Sequence, residues 1–342
     1  MLESVWVGTA GVLFGGALTA SFALPMKLAR RWSWESVWLA YSAVALIAIP
    51  VIVVSVSVPD AARVYAMVPA GTLLMTSFFG FAWGVANVLF GLAVPIVGMA
   101  LSFSIVVGMS AALGSLIPLV LLHPDRVWTA AGMFIIAGVV LTLTGVAILG
   151  AAGRKRELAR HQARNAGAGD GRSVALGLLL CIASGLLAPM LNFSFAFGSE
   201  ISQQASARGA TPLAAVNAIW LVALAGGFLS NGGYSLIRLT RNRTWSDYVA
   251  PGTGTQWSLT AAMGILWTGG LLLYGWGGNA LGSLGTAVGW PVYQGAMILT
   301  STLLGAFTGE WKGASAAFVR NNCLGLAVLI TAIVVLSIGN RV

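Results

Sequence analysis

Ten stretches of mostly apolar residues follow one another along this chain, and they leave few folds open: 4–25, 34–57, 70–92, 97–121, 128–150, 173–197, 212–236, 257–277, 283–307 and 320–340. A helix needs ~20 such residues to cross the hydrocarbon core of a bilayer. The runs are continuous rather than alternating, which favours spanning helices over a β-barrel. Charged residues make up only 8% of the chain, against roughly 25% in soluble globular proteins. The sequence therefore predicts an all-α, polytopic membrane protein with ten transmembrane helices. The narrowest connection, "VPIVG" at 94–98, separates the third and fourth. The N-terminal "MLESVW" lacks a basic leader, and the first run is long enough to span, so it reads as a span and not as a cleaved signal.

The net charge of +9 is read as topology and not as a nucleic-acid surface. Loops after spans 1, 3, 5, 7 and 9 hold 14 of the 18 Lys and Arg. Cations mark the cytoplasmic side, so both termini are expected outside. "PMKLARRWSWESVW", 25–38, is then the first cytoplasmic turn. Its Trp32, Trp34 and Trp38 suit the headgroup level. Ser33 is expected to cap the next helix, with Glu35 in the first turn. Cys181 and Cys323 lie inside spans without metal-site or redox spacing and read as packing residues, with no metal or cofactor implied.

The stretch 153–172 carries six cations and divides the chain into two halves, 1–152 and 173–342. Each half has five spans. Five is odd, so the halves enter the membrane from opposite sides, as two inverted five-helix repeats. "ASFALPM" at 20–26 resembles "ASGLLAPM" at 183–190. At a constant offset, Trp83, Leu89, Phe90, Gly91 and Gly98 match Trp267, Leu273, Tyr274, Gly275 and Gly282. Inverted repeats frame many secondary transporters, whose substrate sits near the midplane between them.

No phosphate loop, metal-protease signature or nucleophile elbow occurs, so neither an ATP-driven pump nor an enzyme is indicated. The spans do carry amides and aromatics suited to a neutral polyol. Amides donate and accept, matching vicinal hydroxyls. Aromatic faces pack on sugar C–H surfaces. The candidate substrate-binding residues are Trp83, Asn87, Asn192, Trp267, Tyr274, Trp290, Tyr293 and Gln294, in a site lined by spans 1, 3, 4, 6, 8 and 9. Pro291 is expected to interrupt span 9 and free backbone carbonyls there. Each of these groups could equally bond a neighbouring helix. No carboxylate falls near mid-membrane. Lys27, Glu200 and Glu310 are the pathway or coupling candidates, all at span ends.

The segments "PMKLARRWSWESVW", "FGFAWGVANVLFGLAVPIVGMALSFSIVVG", "LLLYGWGGNALG" and "GEWKGAS" resemble the L-rhamnose–proton symporter family of the drug/metabolite transporter superfamily. The resemblance runs through nearly the whole chain. It implies a drug/metabolite transporter-like fold and a sugar carrier of the bacterial inner membrane, taking up L-rhamnose or a related deoxyhexose by alternating access, with protons as the coupling partner. The family pattern carries onto Lys27, Trp32, Trp34, Glu35, Trp83, Asn87, Gly91, Gly98, Trp276, Trp290 and Glu310. "NFSFAFGSEISQQASARG", 192–209, departs from the enteric members. Two alternatives stand beside this reading: a facilitator or exporter of another small metabolite, and a non-transporting membrane sensor or scaffold.

Overall fold

A computed structural model describes residues 2–29, 31–97, 99–164, 171–282, 285–307 and 314–339. All regular structure among the described residues is helical. The first half comprises α1 (Leu2–Ser21), α2 (Ala23–Leu28), α3 (Trp34–Ala43), α4 (Ile49–Ser57), α5 (Ala61–Met67), α6 (Ala70–Val97), α7 (Met99–Leu122) and α8 (Ala130–Arg164). The second comprises α9 (Gly171–Leu187), α10 (Met190–Phe197), α11 (Ser199–Ala207), α12 (Pro212–Asn242), α13 (Gly254–Ala280), α14 (Gly285–Phe307) and α15 (Ala316–Gly339). One π-helical turn, Val44–Ala48, joins α3 to α4 into a single rod.

Nine segments among the described residues are long and apolar enough to cross a membrane: Val5–Met26, Trp34–Ser57, Ala70–Ala93, Ile105–Leu122, Ala130–Ala152, Ala175–Ala207, Pro212–Asn242, Gly254–Ala280 and Ala316–Gly339. The expected segment 283–307 does form a helix, α14, yet it is not among the nine. Its Trp290, Pro291, Tyr293, Gln294, threonines and glycines dilute its apolar character. The stretch 153–172, expected as a linker, is helical as far as Arg164, because α8 simply continues past the apolar run.

Two helices bend where the sequence placed similar words. The first breaks at Phe22, between α1 and α2, three residues before Pro25. The sixth expected span breaks at Ala188–Pro189, between α9 and α10. Proline lacks the amide that continues the ladder, so the bends fall beside it.

Packing is pairwise. α1 lies on α13 and α14; α6 lies on α9 and α12; α7 lies on α8, α9 and α14; α8 lies on α15. At the α1–α13 and α6–α12 crossings the contacting residues are glycines. A Cβ on Gly15 would lie 3.0 Å from the Tyr274 amide, and one on Gly84 would lie 2.6 Å from the Gly227 carbonyl. Small residues let backbones approach where the bilayer gives no hydrophobic drive to pack.

At the basic end, the α1–α3 connection is tied to the loop Thr244–Val249. The Asp247 carboxylate accepts from the Ser33 amide (2.9 Å), the Ser33 hydroxyl (2.8 Å) and the Ser36 hydroxyl (2.8 Å). Ser33 occupies the N-cap position of α3, but its side chain makes no capping bond. The expected cap is thus corrected: the Ser33 hydroxyl donates to Asp247 on the neighbouring segment and accepts from no helix amide. Trp32, expected at headgroup level, is buried instead, and its indole donates to Thr253 Oγ1 at 2.7 Å. Trp34 is exposed and stacks on Trp38 at 5.3 Å. Tyr248 donates to the Ser36 carbonyl at 3.0 Å, and keeps its proton because burial and the Asp247 charge push it up to about 12.

Burial alone would raise the Asp247 carboxyl. The donated bonds from Ser33 and Ser36 outweigh it and hold the group below its ordinary value of 3.8. A depressed carboxyl stabilises the fold above the unfolded-state value and loses that contribution as pH falls through the folded-state value. Asp247→Asn should therefore melt below wild type at pH 7, and the two curves should converge as pH drops under 3.8. Thermal unfolding across pH 7 to pH 3 checks this; a difference independent of pH would remove the ionised carboxylate from the account.

Candidate functional site

The site is built where α3, α6, α12 and α13 meet α1, α7, α10 and α14. Trp83 on α6 stacks on Trp267 on α13, with centroids 5.3 Å apart and planes inclined by 28°. These are the two residues that the constant offset paired. Tyr41 on α3 meets Trp267 edge-on at 6.4 Å and stacks on Phe22 at 5.6 Å. Trp38 packs on Tyr41 at 5.3 Å and donates to Asn231 Oδ1 at 3.3 Å. Asn87 lies one turn beyond Trp83 and is half-buried. A further turn on is Gly91, where a Cβ would be 3.9 Å from the Trp34 ring.

A second aromatic group fills the space between α10, α12, α13 and α14. Tyr274 contacts Tyr293 at 4.8 Å, Trp290 at 5.5 Å and Phe195 at 5.8 Å. Phe195 in turn stacks on Trp220 at 5.2 Å. All five rings are buried.

Hydrogen bonds sort these side chains into two kinds. In the second group the polar atoms are spent on neighbouring helices, except the Trp220 indole N–H, which is buried without a partner among the described residues. Asn192 Nδ2 donates to the Gly114 carbonyl at 2.7 Å, and the Tyr274 hydroxyl donates to Asn192 Oδ1. The Trp290 indole donates to the Ser110 carbonyl at 3.0 Å, and Gln294 Nε2 donates to the Ser110 hydroxyl at 3.1 Å. Thr19 donates to the Trp267 carbonyl at 3.3 Å and so accepts from the Tyr293 hydroxyl at 2.8 Å.

Two of these bonds answer prolines. Pro118 lies inside α7 and leaves the carbonyl four residues earlier, that of Gly114, without its helical donor. Asn192 supplies one. Pro291 lies inside α14 and frees the Ala287 carbonyl in the same way, and the Ser115 hydroxyl donates to it. The expected interruption at Pro291 is thus corrected. α14 runs through it unbroken, and the freed carbonyl binds α7 in place of a ligand. Ser110, Ser115 and Thr19 were not singled out in the sequence, since a lone hydroxyl in an apolar helix usually bonds its own preceding turn.

In the first group Trp38 is bonded to Asn231, and the polar atoms of the other side chains are unspent. The side chains of Trp83, Asn87, Trp267 and Tyr41 donate no hydrogen bond to another described residue. An aromatic wall with free amide, indole and phenol groups suits a ligand that has both C–H faces and hydroxyls.

A family model for the L-rhamnose-proton symport protein (RhaT) matches residues 1–341. The chain belongs to this family. The L-rhamnose-proton symporter of Cronobacter sakazakii is 28% identical over 99% of this chain and 99% of its own length. Those of Salmonella paratyphi B and Salmonella newport are each 27% identical over the same shares. One solved crystal structure aligns with 100% of this chain and 98% of its own at a TM-score of 0.54 and 18% identity, a likeness of fold alone. The family is one of transporters and not of enzymes, as the missing catalytic motifs suggested.

Of the residues expected at the site in this RhaT-family chain, the structure brings Trp83 and Trp267 together and sets Asn87 on the same face of α6 as Trp83. It gathers Asn192, Tyr274, Trp290, Tyr293 and Gln294 into the adjoining bonded group. Trp276 is placed elsewhere, its ring occupying the space over Gly11. Lys27 is placed by its backbone in α2. Glu200 is half-buried on α11 and accepts from the Thr72 hydroxyl at 2.7 Å. Glu310 and Gly98 lie outside the described residues. Glu35, read from sequence as a first-turn residue, is the one buried carboxylate among the described residues. Asn242 Nδ2 donates to it at 2.6 Å and the Thr244 hydroxyl at 3.4 Å, joining α3 to the end of α12. Among the described residues no cluster of His, Cys, Asp and Glu could hold a metal. Cys181 is buried, but Cys323 is exposed on α15, not packed inside as expected.

Proposed function

We propose that this protein is a sugar–proton symporter that takes up L-rhamnose or a related deoxyhexose across the bacterial inner membrane by alternating access. Membership of the RhaT family and the names of the relatives support the transported pair. The observation that carries the site is the Trp83–Trp267 stack beside unspent hydrogen-bonding groups. Trp83 and Trp267 supply surfaces for the sugar's C–H faces, and Asn87 binds its hydroxyls. Asn192, Tyr274, Trp290, Tyr293 and Gln294 close the adjoining wall.

The frame of this reading is ten spans in two inverted repeats, 1–152 and 173–342, with both termini outside and α14 as the ninth span. Exchange of the halves maps contacts onto contacts, which supports it. α1 on α13 becomes α9 on α6; α1 on α14 becomes α9 on α7; α7 on α8 becomes α14 on α15. The bends beside Pro25 and Pro189 correspond, and so do Trp83 and Trp267. Proton coupling is assigned to the edge groups Glu200 and Glu310, with Lys27 beside the pathway.

Uptake of labelled L-rhamnose into proteoliposomes tests the proposal. An imposed inward proton gradient should drive accumulation above the equilibrium level. Uptake that only equilibrates would make the protein a facilitator. No uptake by verified, inserted protein would overturn L-rhamnose as the substrate.

A further inference from the structure

The hydrogen-bond inventory of the site leaves one group that neither the motifs nor the family name assigns. Tyr41 is only 5% exposed, and its ring is held on three sides by Phe22, Trp38 and Trp267. Its hydroxyl nevertheless bonds to no described residue. A phenol whose ring is held this closely normally finds a partner. Tyr293 lies near the same Trp267, tied to its carbonyl through Thr19. Tyr293 has already given its proton to Thr19, because Thr19 gives its own to the Trp267 carbonyl. Tyr293 therefore offers only an acceptor lone pair, whereas Tyr41 offers both a donor and an acceptor. The two phenols do not bond each other. The Tyr41 hydroxyl is thus left to donate to, or accept from, a hydroxyl of a ligand.

We infer that Tyr41 is a sugar-binding residue, whose hydroxyl recognises one ring hydroxyl of the transported sugar and rejects analogues lacking it. The inference rests on the sugar-carrier reading above. The recognised hydroxyl bonds the Tyr41 hydroxyl, while Trp267 flanks the ring. A site built to bond a hydroxyl discriminates against its absence, because its own polar groups are then left unpaired. Phe22, Trp38 and Trp267 fix the ring of Tyr41, so the direction of its hydroxyl is set before the sugar arrives.

The test is equilibrium binding to purified protein, read by titration calorimetry, for L-rhamnose and each of its monodeoxy derivatives. Tyr41→Phe deletes one atom from a group that bonds nothing in the protein, so the fold is preserved. The variant should bind L-rhamnose roughly tenfold more weakly. One monodeoxy derivative should bind weakly to wild type and no more weakly to Tyr41→Phe, which identifies the hydroxyl that Tyr41 meets. Equal binding of L-rhamnose by both proteins would overturn the inference and leave the carrier reading intact. So would a uniform loss for every derivative, which reports a packing role. Wild-type protein that binds none of these sugars would overturn both.

Discussion

Gly80→Val should destroy most of the folded population and lower the melting temperature of what remains by roughly 5–10 °C. Gly80 sits where α6 crosses α12, and an added Cβ would run into the Ala223 carbonyl. The obstacle is backbone, so no rotamer change relieves it. The contact is reciprocal along the crossing. Gly226 faces the Ser77 carbonyl, Gly84 faces Gly227, and the Ser230 hydroxyl donates to the Phe81 carbonyl at 2.9 Å. Valine would push the two helices apart along this whole seam. Over-packing costs about 1–3 kcal/mol where neighbours can adjust, and here they cannot. The damage should reach the site as well. Trp83 follows Gly80 by one turn, and a Cβ on Gly227 would lie 2.9 Å from its ring. Gly233, on the same α12, has nothing within 4 Å of its would-be Cβ. Gly233→Ala should be neutral or gain up to ~1 kcal/mol from helix propensity. Fluorescence-detected size exclusion after graded heating compares the three proteins. Equal melting of Gly80→Val and Gly233→Ala would contradict the crossing.

That seam shows how far the sequence could be read. Gly80 and Gly84, four apart, permit a close approach but do not name the partner, because a small-residue pair describes one surface of a two-surface contact. Trp83 and Trp267 could be paired from the offset, and the two rings do stack. The prolines were visible too, but their consequence was not. Pro118 and Pro291 each free a carbonyl, and whether Asn192, Ser115 or a ligand takes it depends on which helix lies alongside. The same limit hid Tyr41 and Glu35. An aromatic in an apolar run reads as packing, and a carboxylate in a first turn reads as a dipole partner. Only the tertiary arrangement shows that the Tyr41 hydroxyl is unspent and that Glu35 is buried against Asn242. The atoms proposed to face the sugar are picked out by what they do not bond, which is a property no local pattern encodes.

Trp267→Ala should reduce L-rhamnose transport more than 100-fold, and Trp267→Phe should retain a measurable part of it. Trp267 is 7% exposed and joins α13 to both α6 and α3 at the site. Its ring stacks on Trp83 and meets the edge of Tyr41, while its carbonyl accepts from Thr19. Truncation to alanine removes the surface that holds both rings. The lost burial and the cavity together correspond to about 3–5 kcal/mol for a large aromatic. Part of that falls on stability, so melting is measured alongside transport. The remainder falls on binding, because Trp83 and Tyr41 are no longer held at the sugar's face. Phenylalanine keeps a ring for Trp83 to stack on and gives up the indole N–H, which bonds no described residue and is free for the ligand. The ratio between the two variants therefore separates the stacking surface from the hydrogen bond. If Trp267→Ala transports like wild type, the Trp83–Trp267 stack is ordinary core and the sugar passes elsewhere. If Ala and Phe fail equally with both proteins folded, the N–H and not the ring face carries recognition. The expected order, wild type above Phe and Phe far above Ala, follows if the ring first organises the site and its N–H then adds a single bond.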